Sequence, residues 1–345
     1  MKTKPMTKFA ILALSLVLVA CAGGGSEEAG CPAIDGREIN VVATTPMIGE
    51  FVSQVGGENI NLTVLMPPEA NPHTYEPAPQ DAGTIAEADL VFYTGLLYEP
   101  AALVKLLENS ACSTDILSEV GESVFPIEFK EGGHDDHDDH DDHDDEEGHD
   151  DEEGHDDEEG HDDHEGHNHG AYDPHFWFDP SRVAYAAEYI ESRLIEFDPE
   201  NESSYKSSAD SFVSELNDLT KQVSELISTV PSQNRKLITT HESLGYLEAK
   251  FGLEVLSTII PSLNSANEIS PSDLAGVIDV IEDNNVKVIF IESEAPSVYS
   301  ETIVAETGIK SVTGLYVETL KPGQSYSEFL ISNVTLITEN LQDTD

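Results

Sequence analysis

Basic side chains are scarce in this chain: 16 Lys and Arg stand against 68 Asp and Glu in 345 residues, a formal charge of −52. Phosphate contacts need clustered Lys and Arg, so nucleic acid is excluded as a partner. The same deficit argues against electrostatic attachment to anionic lipid heads. The apolar run at residues 9–20 falls short of the ~20 residues that cross a bilayer, which argues against a retained membrane span there. Two catalytic signatures are also missing. There is no His-Glu-x-x-His segment and no Gly-x-Ser-x-Gly nucleophile elbow, so a secreted zinc hydrolase lacks its positive evidence and no enzyme activity is expected.

What is present suits a folded chain. Hydrophobic residues make up 39%, enough to bury a core, and the length fits roughly two domains of ordinary size. The acidity is concentrated: residues 134–169 hold 21 of the 68 acids, ten of the 13 histidines and no Lys or Arg. The remaining 47 acids against 16 bases still give an acidic surface, of the kind that high salt screens.

Lys2, Lys4 and Lys8 precede the apolar run, which ends in Leu18-Val19-Ala20-Cys21. A basic start, a short apolar stretch and small residues at its end read as a secretory signal over residues 1–20. Leu-Val-Ala-Cys resembles the lipobox of bacterial-type lipoproteins, which implies a lipidated Cys21 that anchors the chain to a membrane. Residues 21–36, with their Gly-Gly-Gly-Ser run, then serve as a flexible tether. Such a chain works outside the cytoplasm, as a membrane-anchored lipoprotein or in a periplasm. There the two other thiols, Cys31 and Cys112, either pair or stay free.

Over residues 37–178, strand-like β-branched runs (38–44, 61–66 and 89–94) alternate with helical patterns (46–57, 80–88 and 99–109). Within this part, residues 131–170 have almost no apolar side chains to offset the entropy of ordering, so a disordered loop rich in His, Asp and Glu is expected. Residues 179–231 carry an apolar stripe at helical spacing that pauses at Asp198-Pro199, and they are expected to form the connecting helix. Residues 232–345 repeat the alternation, with strands at 236–240, 253–260, 286–292 and 310–315. The expected fold class is α/β: two lobes, each with a largely parallel sheet flanked by helices, joined by a long helix.

Three histidines lie outside the acidic segment: His73, His175 and His241. His73 stands seven residues past a predicted strand and His241 directly after one, where open parallel sheets bind their ligands. Imidazole is the commonest nitrogen ligand of divalent transition metals, and three of them with a fourth donor complete a tetrahedral zinc shell. Their spacing matches no local zinc motif, and three unrelated histidines is the competing reading. The acidic segment weighs against it. His134, His137, His140, His143, His149, His155, His161, His164, His167 and His169 are interleaved with carboxylates in His-Asp-Asp and Gly-His-Asp-Asp-Glu-Glu repeats. Such a tract can hold several divalent ions weakly, whereas a solvated acidic spacer needs no histidine.

The residues around the three isolated histidines also carry a resemblance. Asn-Pro-His-Thr-Tyr-Glu-Pro (71–77), Asp-Pro-His-Phe-Trp-Phe-Asp-Pro (173–180) and Thr-His-Glu-Ser-Leu-Gly-Tyr-Leu (240–247) resemble the metal-binding solute-binding proteins of ABC transporters. They look most like the zinc type with a His-rich loop, and the similarity runs over about residues 38–341. It implies two α/β lobes around a metal cleft, capture of one Zn²⁺ or Mn²⁺ outside the cell, and delivery to a membrane permease; a monomer is expected. The ligands it implies are His73, His175 and His241. Histidine in the third place is the zinc-like pattern, where manganese relatives tend to carry a carboxylate, in keeping with the affinity of imidazole for zinc. For the fourth ligand the resemblance points to Glu318, with Glu76, water or a loop histidine as alternatives. Glu292, ending a predicted strand, is expected to orient a ligand by hydrogen bonding, as is Glu76 if it does not bind metal itself. A Cys21→Ser variant is expected to appear in the soluble fraction after cell fractionation; unchanged membrane association would refute lipidation.

Overall fold

The structure is a computed structural model that describes residues 31, 34, 36–129, 172–294 and 298–342. The signal segment, Cys21, most of the tether and the ten histidines of residues 134–169 lie outside the described residues. In the first lobe the order is β1 (Ile39–Ala43), α1 (Pro46–Gly56), β2 (Ile60–Val64), α2 (Pro79–Ala86), β3 (Leu90–Tyr93), α3 (Ala101–Ser110) and β4 (Leu117–Glu119). Two long helices follow, α4 (Pro180–Phe197) and α5 (Glu202–Ser228). The second lobe comprises β5 (Lys236–His241), α6 (Gly245–Phe251), β6 (Glu254–Ile260), α7 (Pro271–Asn284), β7 (Val288–Glu292), α8 (Val298–Thr307), β8 (Lys310–Leu315) and α9 (Tyr326–Gln342). Among the described residues no helix is long and apolar enough to cross a membrane.

Each lobe holds a four-stranded, wholly parallel sheet, in the orders β2-β1-β3-β4 and β6-β5-β7-β8. The two orders are the same when counted within each lobe, so the chain builds one topology twice. In both, the strand order reverses beside the first strand, which opens a crevice at its carboxyl end. The central strands are buried on both faces, as parallel strands flanked by helices must be. Alternate side chains then serve different cores. Ile39, Val41 and Ala43 of β1 join a core shared by both lobes, while Val42 faces a smaller cluster under α2 and α3. Val288 and Phe290 of β7 likewise join the shared core, and Ile289 and Ile291 pack with α7 and α8.

In place of one connecting helix over 179–231, two helices pack against each other. Asp198, Pro199 and Asn201 turn the chain: the Asp198 carboxylate accepts from Asn201 Nδ2 and from the Tyr205 hydroxyl, both at 2.7 Å. Proline there has no amide hydrogen to continue the ladder, so the pause in the pattern becomes a reversal. Helix α4 packs on α1, whereas α5 packs on both α1 and α9 and so spans the lobes. Its buried face is Tyr205, Ala209, Phe212, Leu216, Leu219, Val223 and Ile227. Two elements were not foreseen. Strand β4 is three residues long, too short for a period to show, and α9 buries Tyr326, Phe329, Leu330, Val334, Ile337 and Leu341 at helical spacing.

Helix α1 shows how local signals place a core residue. Thr45 caps it by accepting from Ile48 N, Pro46 opens the first turn, and Gly57 ends it with φ of 56°. Its inner face presents Phe51 to Phe176, Phe212 and Tyr326, with ring centroids 6.2, 6.3 and 5.3 Å away. One ring thus touches the first lobe, the spanning helix and the second lobe. Cys31 and Cys112 are joined in a disulfide that ties the segment before β1 to the chain after α3. Glu128 and Tyr172 form an antiparallel bridge, so the strands of chain entering and leaving residues 130–171 meet. Replacing Phe51 by Ala is expected to lower stability by about 3–5 kcal/mol, read from denaturant unfolding midpoints, because the cavity opens where three elements meet.

Candidate metal centre

An Asx side chain two residues upstream holds His73 and His175, and a neighbouring strand holds His241. His73 lies in a 3₁₀ turn, Pro72–Thr74, where the Asn71 side chain accepts from the His73 amide at 2.9 Å. His175 precedes the turn Phe176–Phe178, and Asp173 Oδ1 accepts from its amide and pairs with its Nδ1, both at 2.8 Å. His241 is the last residue of β5, beside the crevice of the second sheet. Its Nδ1 pairs with Glu292 Oε2, and Glu292 Oε1 accepts from its amide at 3.1 Å. Glu292 ends β7, the strand next to β5, so sheet topology alone brings the two together. With Nδ1 of His175 and His241 donated to carboxylates, the lone pairs for a metal sit on Nε2.

Those Nε2 atoms converge on Glu318, which follows β8. Glu318 Oε1 is 3.1 Å from His73 Nε2 and 3.0 Å from His241 Nε2, and Oε2 is 3.4 Å from His175 Nε2. The four donor atoms all lie within 4.8 Å of one another. None of the three Nε2 atoms makes a hydrogen bond despite these approaches, and neither does Glu318 Oε1. His175 and His241 are fully buried and Glu318 is 1% exposed. Four buried polar atoms without partners would cost several kcal/mol together unless something satisfies them. A divalent cation does so, and three imidazole nitrogens with one carboxylate oxygen form a donor set that suits a tetrahedral ion.

The electrostatics agree. Burial works against charge on His175, but its contacts with Asp173 and Glu318 outweigh it and raise the imidazole to about 9. Burial likewise opposes charge on His241, and Glu292 and Glu318 outweigh it and hold that pKa well above the usual value. For Glu318, burial favours the neutral acid, but the surrounding imidazoles hold the carboxyl well below the usual range. Without an ion, protons therefore neutralise the cluster; with one, the ion takes their place.

Glu76 does not take part. It is exposed, because in the extended segment after the His73 turn Tyr75 takes the inward position and donates to Asp81 at 2.9 Å. Several contributors were not foreseen. Asp173 and Asn71 each stand two residues before a histidine, a spacing at which Asx side chains reach backbone amides, so that signal was available. Tyr98 donates from the first lobe to Glu318, and Glu294 accepts from the amides of Val317 and Glu318 at 3.2 and 3.4 Å. No local pattern marks either. Burial, with Glu318 and Glu292 nearby, pushes Glu294 up to about 8, so it stays neutral beside the charged Glu318 at pH 7.

Fold and site together define a two-lobed cation receptor, with donors from both lobes aimed at one ion. A family model described as "Zinc-uptake complex component A periplasmic" matches residues 41–340. The chain belongs to that family: it is an extracytoplasmic, metal-binding solute-binding component of an ABC transporter, and not an enzyme. The high-affinity zinc uptake system protein ZnuA of Bacillus subtilis is 27% identical over 343 residues, 96% of each chain. The manganese ABC transporter substrate-binding lipoprotein PsaA of Streptococcus anginosus is 26% identical over 348 residues, 98% of this chain and 99% of the relative. The solved structure of the periplasmic zinc binding protein TroA from Treponema pallidum has the same fold, with a TM-score of 0.70 at 20% identity over 88% of this chain and 99% of that one.

The raised imidazoles set a pH dependence with a definite sign. Ion binding must displace their protons, so apparent affinity is expected to rise with pH until His175 has titrated, near 9. The stability that the metal-free protein gains from this group runs the other way: it is complete below about pH 6.5 and is lost as pH rises through about 9. Calorimetry at pH 7 in buffers of different ionisation enthalpy is expected to show about one to two protons released per ion. Binding without proton release would contradict the charged cluster.

Proposed function

We propose that this chain captures Zn²⁺ with His73, His175, His241 and Glu318 and hands it to an ABC-type permease. The observation that carries the reading is the set of four buried, otherwise unpartnered donor atoms within 4.8 Å of one another. Zinc is favoured over manganese by the donors themselves. Three imidazoles and one carboxylate suit zinc, whereas manganese prefers a site richer in oxygen. The relatives' names include both metals, so ligand chemistry supplies the choice. Four protein donors also leave no open position of the kind a hydrolytic zinc keeps for water.

Around this centre the other assignments fall into place as parts of the same proposal. Cys21 carries the lipid anchor, residues 21–36 tether the monomeric receptor to the membrane, and the histidines of residues 134–169 collect additional divalent ions weakly. The bridge between Glu128 and Tyr172 supports an auxiliary role for that segment, since the fold closes without it.

His73→Ala and His241→Ala are each expected to weaken zinc binding by more than about a hundredfold, beyond what losing a supporting hydrogen bond costs. Competition titration with a chromophoric chelator measures this, with thermal unfolding as the control for folding. A chain lacking residues 133–170 is expected to keep one tight site and lose the weak ones. Elemental analysis of that protein after exposure to equal zinc and manganese should return one zinc; one manganese would overturn the choice of ion.

A further inference from the structure

Glu318 is held more tightly than a ligand needs to be. Glu294 takes the amides of Val317 and Glu318. From the first lobe, Trp177 Nε1 donates to the Val317 carbonyl at 2.8 Å. The Tyr98 hydroxyl lies 3.0 Å from both the Glu318 carbonyl and Glu318 Oε2. Backbone and side chain are thus pinned from two directions, and of the two carboxylate oxygens only Oε1 is left without a hydrogen bond.

The turn that delivers Tyr98 is costly in backbone terms. Gly95, Leu96 and Leu97 all have positive φ, at 76°, 53° and 62°. Two leucines in the left-handed region are unfavourable, and such strain persists only where the surroundings enforce it. Here two carboxylates enforce it. Glu99, itself 4% exposed, accepts from Thr44 Oγ1, Thr94 N and Gly95 N, while Glu119 accepts from Leu96 N at 2.9 Å. A Cβ on Gly95 would sit 2.0 Å from Glu119 Oε1, so any side chain there would push aside the carboxylate that holds Leu96 N. Burial of Leu97 is not the compensation, since it is 87% exposed. What the turn achieves is to carry Tyr98, 1% exposed, against His73, His175 and Trp177, with ring centroids 5.0, 5.9 and 5.3 Å away.

We infer that Tyr98 is a positioning residue that sets metal selectivity: by hydrogen bonding Glu318 Oε2 it restricts the carboxylate to offering one oxygen. This rests on the zinc reading above and deepens it. A carboxylate limited to one donor keeps the set at three nitrogens and one oxygen, which suits a small four-coordinate ion. Larger divalent ions such as Mn²⁺ seek six oxygen-rich contacts, and a second carboxylate oxygen is the nearest one the site contains. Tyr98 withholds it.

The test is Tyr98→Phe in the full chain, which removes one oxygen and keeps the buried ring. Zinc and manganese affinities are measured by competition, and the visible spectrum of the Co²⁺-loaded protein reports coordination number. The expected result is a zinc-to-manganese preference narrowed by about tenfold or more, the scale of a hydrogen bond to a charged group. The intense absorption of four-coordinate Co²⁺ should weaken in parallel. Tyr326→Phe removes another buried hydroxyl, one that donates to the Trp177 carbonyl, and controls for hydroxyl loss in general. An unchanged preference overturns the inference. So does equal weakening of both metals with an unchanged Co²⁺ spectrum, because Tyr98 would then only brace the lobes. Failure of the zinc reading is visible separately, in the wild-type chain, as a preference for manganese; the spectral change on Tyr98→Phe still decides the role of Tyr98.

Discussion

Three imidazole nitrogens and one carboxylate oxygen, buried around a common point away from water, need positive charge among them, which protons or a divalent ion can supply. Much of the structure serves that requirement. Asp173 and Glu292 stand behind two of the imidazoles, orient Nε2 inward and strengthen its basicity. Glu294, Trp177 and Tyr98 hold the segment that carries the carboxylate. The cluster has two stable ways to balance charge, protons or a divalent ion, and exchange between them is what a receptor that loads and unloads must do.

The repeated topology explains how donors from distant positions meet. A four-stranded parallel sheet places its crevice at the carboxyl end of the strand beside which the order reverses. His241 and Glu292 occupy that place in the second lobe; Thr44, Thr94 and Glu99 occupy the corresponding place in the first. The first lobe uses its buried carboxylate to shape a turn, and the second uses its own to orient a ligand. One scaffold therefore places a turn-shaping carboxylate at one crevice and a carboxylate that holds His241 at the other. The shared core through Phe51 and α5 fixes the distance between them.

The legible parts of the fold were those with strong periodicity. Central strands such as β5 and β7 read as continuous β-branched runs because both faces are buried, and the stripe of α5 read at helical spacing because one face is. A three-residue strand such as β4 has no period to detect. The turn at Asp198 was visible as a pause, but its direction was not. Whether a proline bends a helix or reverses the chain depends on what α5 packs against, here α1 and α9. In the site, residues inside short motifs are legible: His73, His175 and His241 stand in distinctive segments, whereas Glu318 is marked only by the resemblance. Glu76 misled because it shares a segment with His73 while facing solvent. Tyr98 and Glu294 had no local mark, since their partners are 220 and 24 positions away.

Side-chain identity and short-range spacing fix the chemistry available to this protein: which side chains can bind a cation, its acidic balance, and the alternation of strands and helices in two sets. Those properties are local, set by side-chain type and by spacing along a few residues. Packing sets which nitrogens face the same point, which carboxylate oxygen stays free, and what each long helix packs against. These depend on distances between residues far apart in the chain, and such distances exist only once two sheets have packed against a common core.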